Sequence, residues 1–354
     1  MRQPFTCGTA EVGTADAARA GGKAAALGEL ARAGLPVPRG FVINAAAFLL
    51  HMDGVDPGGA ARGALGSLAT DDLDGIASAA AGLRARVTAA PLPADVAAEI
   101  ASAFAALGAG PVAVRSSATL EDSAEASFAG LQDTYLAVRG TGAVLDRVRA
   151  CWASLYNDES IAYRRRQGTG EDGLAMGVVV QRMLNPRSAG VVFTRSPVTG
   201  DRSVVAIEGT WGLGSALVGG EVTPDSFTVS KVTGEITGRR VGVKLRVHSF
   251  TPNGQGISAT PMAVPLRRTP CLTDDEVRTL ARLGQQVEDH YGAPQDIEWA
   301  LLGDSPGHLA DLADRFVLLQ SRPETVWAAR DREPIASPQA KASDHVLARF
   351  SRGL

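Results

Sequence analysis

Gln295–Glu324 reads QDIEWALLGDSPGHLADLADRFVLLQSRPE, and the fold turns on how it is read. Successive side chains of an extended strand point to opposite faces. Asp296 and Glu298 therefore share one face, alternating with Ile297, Trp299 and Leu301. Phe316–Leu319 is an apolar run ending in Gln-Ser-Arg-Pro, so Gln320 and Arg322 share a face as well. The polar stretch between the runs reads as the loop of a hairpin. Antiparallel pairing would gather a carboxylate, an amide oxygen and a guanidinium on one surface. Mg²⁺ takes hard oxygen ligands, one or two from protein with substrate phosphates completing its shell. Arginine's planar fork of donors suits phosphate. The same alternation also fits an amphipathic hairpin with solvated polar ends, so the rest of the chain has to decide.

Working outward, Thr273–His290 is a helix with Asp274, Asp275 and Glu276 in its first turn, favourable against the helix dipole. Ser226–Lys231 and Glu235–Val241 form a hairpin across Thr233-Gly234, and residues 246–268 are polar with Pro and Gly. Val204–Glu208 is a strand that runs into the glycine-rich segment Gly209–Gly214. Ala175–Met183 and Gly190–Thr194 are β-branched strands on either side of an Asn185-Pro186 turn. Thr141–Tyr163 reads as one long helix, and Thr134–Val138 and Pro111–Val114 as strands. Helices are expected over Ala94–Leu107, Leu73–Ala89, Ala60–Leu68 and Ala45–His51, with a loop at Met52–Gly63. Gly40–Ile43 is a strand, and Gly21–Ala33 a helix stopped by Gly34. Strands and helices mix without regular alternation, which argues against a single doubly wound sheet. The expected fold is α/β of the α+β type, with two lobes and a cleft between them.

The 354 residues are 45% hydrophobic and 21% charged, with a net charge of −3, and carry no basic stripe of the kind nucleic acid requires. Cys7, Cys151 and Cys271 lie far apart and show neither a disulfide framework nor zinc spacing. No secretory pattern opens the chain and no run of 18 apolar residues occurs. A soluble, cytoplasmic protein without membrane or nucleic-acid partners is expected.

Four constellations suit a polyphosphate. Gly21-Gly22-Lys23 opens a helix, where backbone amides and a lysine make an anion site, although the Walker spacing is absent. Arg115-Ser116-Ser117 offers a fixed charge and hydroxyls at a strand end. Glu208 precedes glycines that allow a ligand to approach the backbone closely. The Gln295–Glu324 hairpin is the fourth. Gln181 presents an amide after an apolar strand.

Taken in order, GGKAAALGELARAGLPVPRGFVI, PVAVRSSATLEDSAEASFAGLQDT, VVVQRML with SAGVVFTRSP, EGTWGLGSALVGGEVTPDSF, and QDIEWAL with LLQSRPET resemble the nucleotide-binding domain of the phosphoenolpyruvate synthase and pyruvate phosphate dikinase family. Rifampin phosphotransferase and phenylphosphate synthase share that domain. The resemblance spans residues 19 to 326. It implies an ATP-grasp-like fold, with an N-terminal lobe over residues 1–180, a C-terminal lobe over 181–327, and a tail at 328–354 serving as linker or docking segment. It also implies that Lys23, Arg115 and Arg322 hold phosphates, that Glu298 and Gln320 hold Mg²⁺, and that Gln181 and Glu208 make hinge and nucleotide contacts. Ser127–Gly130 matches a mobile loop over the terminal phosphates.

The family passes phosphate from ATP to a histidine on a swivelling domain, leaving AMP. None of His51, His248, His290, His308 and His345 has the glycine-rich setting of that histidine. The expectation is therefore an ATP-dependent dikinase-type component, either the ATP-binding subunit of a split enzyme that works with a histidine-bearing partner subunit or an excised domain. ADP as product would instead mark an ATP-grasp carboxylate ligase. Tight binding without transfer would mark an ATP-sensing module.

Overall fold

The computed structural model describes residues 3–119, 133–166, 168–171, 173–254, 256–303 and 312–327. The chain opens with β1 (Thr6–Gly8), a single helical turn α1 (Ala17–Ala20), α2 (Gly22–Arg32), β2 (Gly40–Ile43), α3 (Ala45–Val55) and α4 (Ala60–Ser67). Two longer helices, α5 (Leu73–Ala89) and α6 (Ala94–Leu107), precede β3 (Val112–Ala118) and β4 (Thr134–Val138). Then come α7 (Thr141–Ala153), α8 (Asp158–Arg166), β5 (Met176–Arg182), β6 (Pro186–Phe193), β7 (Val204–Trp211) and the short α9 (Ser215–Val218). β8 (Asp225–Ser230), β9 (Ile236–Arg240) and the ribbon of β10 (Arg246–Phe250) and β11 (Ile257–Pro261) follow. α10 (Asp274–Tyr291) leads to the hairpin of β12 (Gln295–Leu302) and β13 (Phe316–Pro323).

This is a mixed α/β fold built on two antiparallel sheets. The first runs β1-β2-β5-β3-β4 and the second β13-β12-β6-β7-β8-β9. On β3, Val112, Val114 and Ala118 pack into a core that α3, α5, α6 and α7 cover through Phe48, Leu83, Ile100 and Trp152. Alternation sends Ala113, Arg115 and Ser117 to the opposite face. The second sheet has its own core, where Val192, Ile207, Ile297, Trp299 and Leu318 meet Val277, Leu280 and Val287 of α10. Thr273 caps α10 with a reciprocal box: its hydroxyl accepts from the Glu276 N–H, and the Glu276 carboxylate accepts from the Thr273 N–H.

Helix α2 joins the two halves. Ala24 and Leu27 pack on Val42 and Val179 of the first sheet, while Leu30 belongs to the core of the second. Tyr291 of α10 donates to the Ala26 carbonyl, and the Leu318 N–H donates to the Pro36 carbonyl just beyond α2.

The hairpin read from Gln295–Glu324 is present, and most element positions agree with the sequence reading. Five segments differ, the first being residues 209–211, which continue β7 and do not open a loop. Arg115 lies inside β3, which extends to Ala118, and not at a strand end. The helix from Thr141 breaks at a 3₁₀ turn over Ser154–Tyr156. Met52–Gly63 is mostly helical, because α3 continues to Val55 and α4 starts at Ala60. Arg246–Phe250 and Ile257–Pro261 pair as a β-ribbon. Among the described residues no single helix is long and apolar enough to cross a membrane; α5 and α6 meet that criterion only together, across a 68° bend. The expected mobile loop at Ser127–Gly130, the 328–354 tail, His308 and His345 lie outside the described residues.

Candidate functional site

Arg115 is where the two sheets meet. From β3 of the first sheet its guanidinium donates to the Leu319 carbonyl at 3.0 Å, to Glu298 Oε2 at 2.9 Å and to Gln320 Oε1 at 2.6 Å, all on β12 and β13. The hairpin register explains the convergence. Glu298 lies directly opposite Gln320, and Asp296 opposite Arg322. Trp299 pairs with Leu318, so Leu319 is left as the extra residue of a bulge, and its carbonyl is the one Arg115 takes. Arg115 is 9% exposed, and its Nε has no hydrogen-bond partner.

One step along the same face, Arg322 Nε lies 3.4 Å from Asp296 Oδ2. Burial raises the Asp296 carboxyl to about 6, Arg322 pulls it down, and the nearby Glu324 adds to the rise. Its Oδ1 is buried without a hydrogen-bond partner. The sequence reading placed Asp296 on this face but not among the functional residues. The signal was there, since it sits two residues before Glu298 on the same strand.

A cavity of about 340 Å³ opens beside Arg115 and Glu298. Ala113, Leu136, Leu184 and Leu213 are among its apolar walls, and Thr134, Gln181 and Ser215 supply polar groups. Its size and its mixture of apolar surface with a few convergent polar groups are those of a small-molecule site. Gln181 is 3% exposed and its Nε2 has no hydrogen-bond partner. A buried amide donor without a partner is uncommon in a settled core; on a cavity wall it suits a ligand acceptor. An arginine and a carboxylate at one end of an apolar slot likewise fit a base joined to a phosphate chain.

The structure joins Arg115, Glu298 and Gln320 by hydrogen bonds and sets Gln181 on the same cavity. Arg322 lies on the adjoining row, paired with Asp296. Lys23 and Glu208 stand apart from the cavity wall. Lys23 is in the first turn of α2, close enough to the buried Cys151 that its charge opposes the rise which burial and Asp133 impose on that thiol. Gly21 fixes this turn: its φ is +84°, and a Cβ there would lie 1.9 Å from the Ser117 carbonyl oxygen. Glu208 falls in register with Val191, which pairs with Glu298, so it shares the face two strands away, roughly 10 Å across.

Two readings of small residues change. The Ser117 hydroxyl accepts from the Ala24 N–H at 3.0 Å and the Ser116 hydroxyl donates to the Asp133 carbonyl, so both are held by the fold. The glycines after Glu208 also serve packing: a Cβ on Gly209 would press on Trp299 and Cys271, and one on Gly212 would lie 2.5 Å from the His248 carbonyl oxygen. Leu213, Gly214 and the following Ser215 are the residues here that reach the cavity.

Comparison with known sequences matches residues 17–343 to the pyruvate phosphate dikinase AMP/ATP-binding domain. The chain belongs to this family. A rifampicin phosphotransferase of a Streptomyces species is 44% identical over 318 residues, covering 89% of this chain and 35% of that protein. Probable phosphoenolpyruvate synthases of Staphylothermus marinus and Methanothermobacter thermautotrophicus are 37% and 40% identical over 368 and 330 residues. They cover 96% and 91% of this chain, and 44% and 46% of their own lengths are matched. The chain thus spans about a third to a half of these relatives. Membership of this AMP/ATP-binding domain family supports ATP use. Among the described residues no group of three or more His, Cys, Asp and Glu forms a metal site.

Proposed function

We propose that this domain binds Mg-ATP in an ATP-grasp cleft between two lobes, one built on each sheet, and passes phosphate to a histidine on a partner subunit or domain, leaving AMP. One observation carries the reading: Arg115 of one sheet meets Glu298 and Gln320 of the other at the wall of a nucleotide-sized cavity. The base would occupy the apolar slot, with the Gln181 amide donating to it or to the sugar. Arg115 and Arg322 would hold phosphate oxygens, with Lys23 reaching them from the helix start and Glu208 bordering the same face. Glu298 and Gln320 have the hard oxygens that suit Mg²⁺, which when bound would neutralise phosphate charge.

Phosphoryl transfer asks mainly for positioning and charge stabilisation. In this reading Arg115 would serve both, since its guanidinium is already fixed by Leu319, Glu298 and Gln320 and would need little reordering. The relatives are named for rifampicin and for phosphoenolpyruvate, and the final acceptor here is left to experiment. Thermal shift is the direct test of binding, since a ligand specific to the native state raises Tm by mass action. Mg-ATP should raise it, and GTP should do so less. No shift at millimolar Mg-ATP would end this reading.

A further inference from the structure

Ser215, the first residue of α9, lies on the cavity wall and is held from behind. Its Oγ is 2.9 Å from His248 Nδ1 on β10, and His248 Nε2 is 3.3 Å from Glu221 Oε2. His248 is 7% exposed. Its backbone is tied to the same loop, because the Leu213 N–H donates to the His248 carbonyl, and Gly212, at φ +71°, lets that carbonyl approach. Both ring nitrogens are engaged and the ring is not free to turn.

We infer that Ser215, oriented by His248 and Glu221, is a specificity-determining contact for a hydrogen-bond donor on the bound nucleotide. A carboxylate only accepts, so the His248 proton facing Glu221 is on Nε2. In the neutral ring Nδ1 is then an acceptor. The Ser215 hydroxyl gives its proton to Nδ1, and its oxygen lone pairs are what it offers the cavity. An accepting group suits a sugar hydroxyl or the exocyclic amine of adenine and repels phosphate and carbonyl oxygens. Phosphates are thereby directed to the Arg115 end. His248 and Glu221 touch no ligand in this scheme; they are positioning residues.

This inference rests on the nucleotide reading, and the test separates the two. Calorimetric titration of the chain with ATP, 2′-deoxy-ATP, 3′-deoxy-ATP and inosine triphosphate, each with Mg²⁺, should show ATP bound about tenfold more tightly than at least one analogue, the size of one neutral hydrogen bond. Ser215→Ala should abolish that preference by weakening ATP alone. Parity with a deoxy analogue assigns the donor to the sugar, and parity with inosine triphosphate assigns it to the base. His248→Leu should abolish the preference too, whereas His248→Asn, whose amide oxygen can accept from Ser215, should retain it. If His248→Leu lowers Tm but leaves the preference intact, its role is structural and the inference is overturned. A wild type that binds ATP and its analogues alike, or a Ser215→Ala that keeps the preference, overturns it as well. Absence of ATP binding by the wild type overturns the nucleotide reading, and this inference with it.

Discussion

Two ion pairs in the molecule serve different ends. Asp225 and Lys244 are wholly buried and 2.5 Å apart. Asp225 also accepts from the N–H groups of Gly242 and Cys271, and Lys244 donates to the Gly242 carbonyl. Arg115 and Glu298 are 2.9 Å apart, but the Glu298 side chain is 35% exposed, Arg115 Nε has no partner, and both residues face the cavity. The first network closes on itself and ties β8 to the segments before β10 and α10. The second is half-made by protein and has capacity left over. A polar cluster that completes its own hydrogen bonds supports the fold; one left incomplete beside a cavity is suited to a ligand.

The largest expected effect breaks the closed network. Asp225→Ala would leave the Lys244 ammonium buried without a counter-charge and remove the acceptor of two backbone donors. Urea denaturation should show a loss of about 3–5 kcal/mol. A loss under about 1 kcal/mol would mean that Lys244 escapes to solvent and that the contrast between the pairs is not real.

Asp296 sits between the two types, paired with Arg322 yet buried with one oxygen unpartnered. Its carboxyl is raised from 3.8 to about 6. Between those values the unfolded carboxyl has ionised while the folded one keeps its proton, so the folded state binds more protons. Stability from this group is therefore highest at the acid end, falls as pH rises through the window, and levels off above about 6. A shift of about two units corresponds to about 3 kcal/mol. Asp296→Asn should remove this descent from the profile of unfolding free energy against pH. A mutant profile parallel to the wild type would put Asp296 in solvent.

Arg115→Ala should act on binding more than on folding. A hydrogen bond to a charged group contributes about 1.5–3 kcal/mol, or about 10- to 150-fold in Kd for Mg-ATP by calorimetry. Arg322→Ala should weaken binding in the same direction. Unchanged affinity in both would move the phosphate end of the cavity elsewhere.

How much of this was legible depends on range. The hairpin could be read because period-two alternation is a local property, and Asp296, Glu298, Gln320 and Arg322 declare their shared face within 30 residues. Gly34 and Thr273 mark helix ends by equally local chemistry. That Arg115 would reach Glu298 and Gln320, 183 and 205 residues away, was not a property of any window; only the collinear family resemblance brought those residues together. Composition alone did not separate packing from function. Ser117 and the glycines after Glu208 look like ligand-binding residues, and packing also accounts for their size, because a helix, Trp299 and the His248 backbone press on them. The partnership of Ser215 with His248 escaped notice because it joins a glycine-rich stretch to a ribbon that polar residues had disguised as loop.

The smallest expected effect on stability bears most directly on the contrast. Glu298→Ala removes one acceptor from Arg115, which keeps the Leu319 carbonyl and the Gln320 amide oxygen. The lost pair is partly exposed, and pairs of that kind contribute about 0–1 kcal/mol. Arg115 gains freedom that solvent and the cavity can satisfy, so the unfolding free energy without ligand should move by less than about 1 kcal/mol. The Tm rise produced by Mg-ATP should shrink sharply, because Glu298 is the carboxylate that lines the cavity among the described residues and is the proposed cation ligand. ATP without Mg²⁺ separates this from a simple loss of shape: its Tm shift should match the wild type. The opposite pattern, with stability lost by several kcal/mol and the Mg-ATP shift preserved, would place Glu298 in the same class as Asp225 and leave Arg115 as a strut between two sheets.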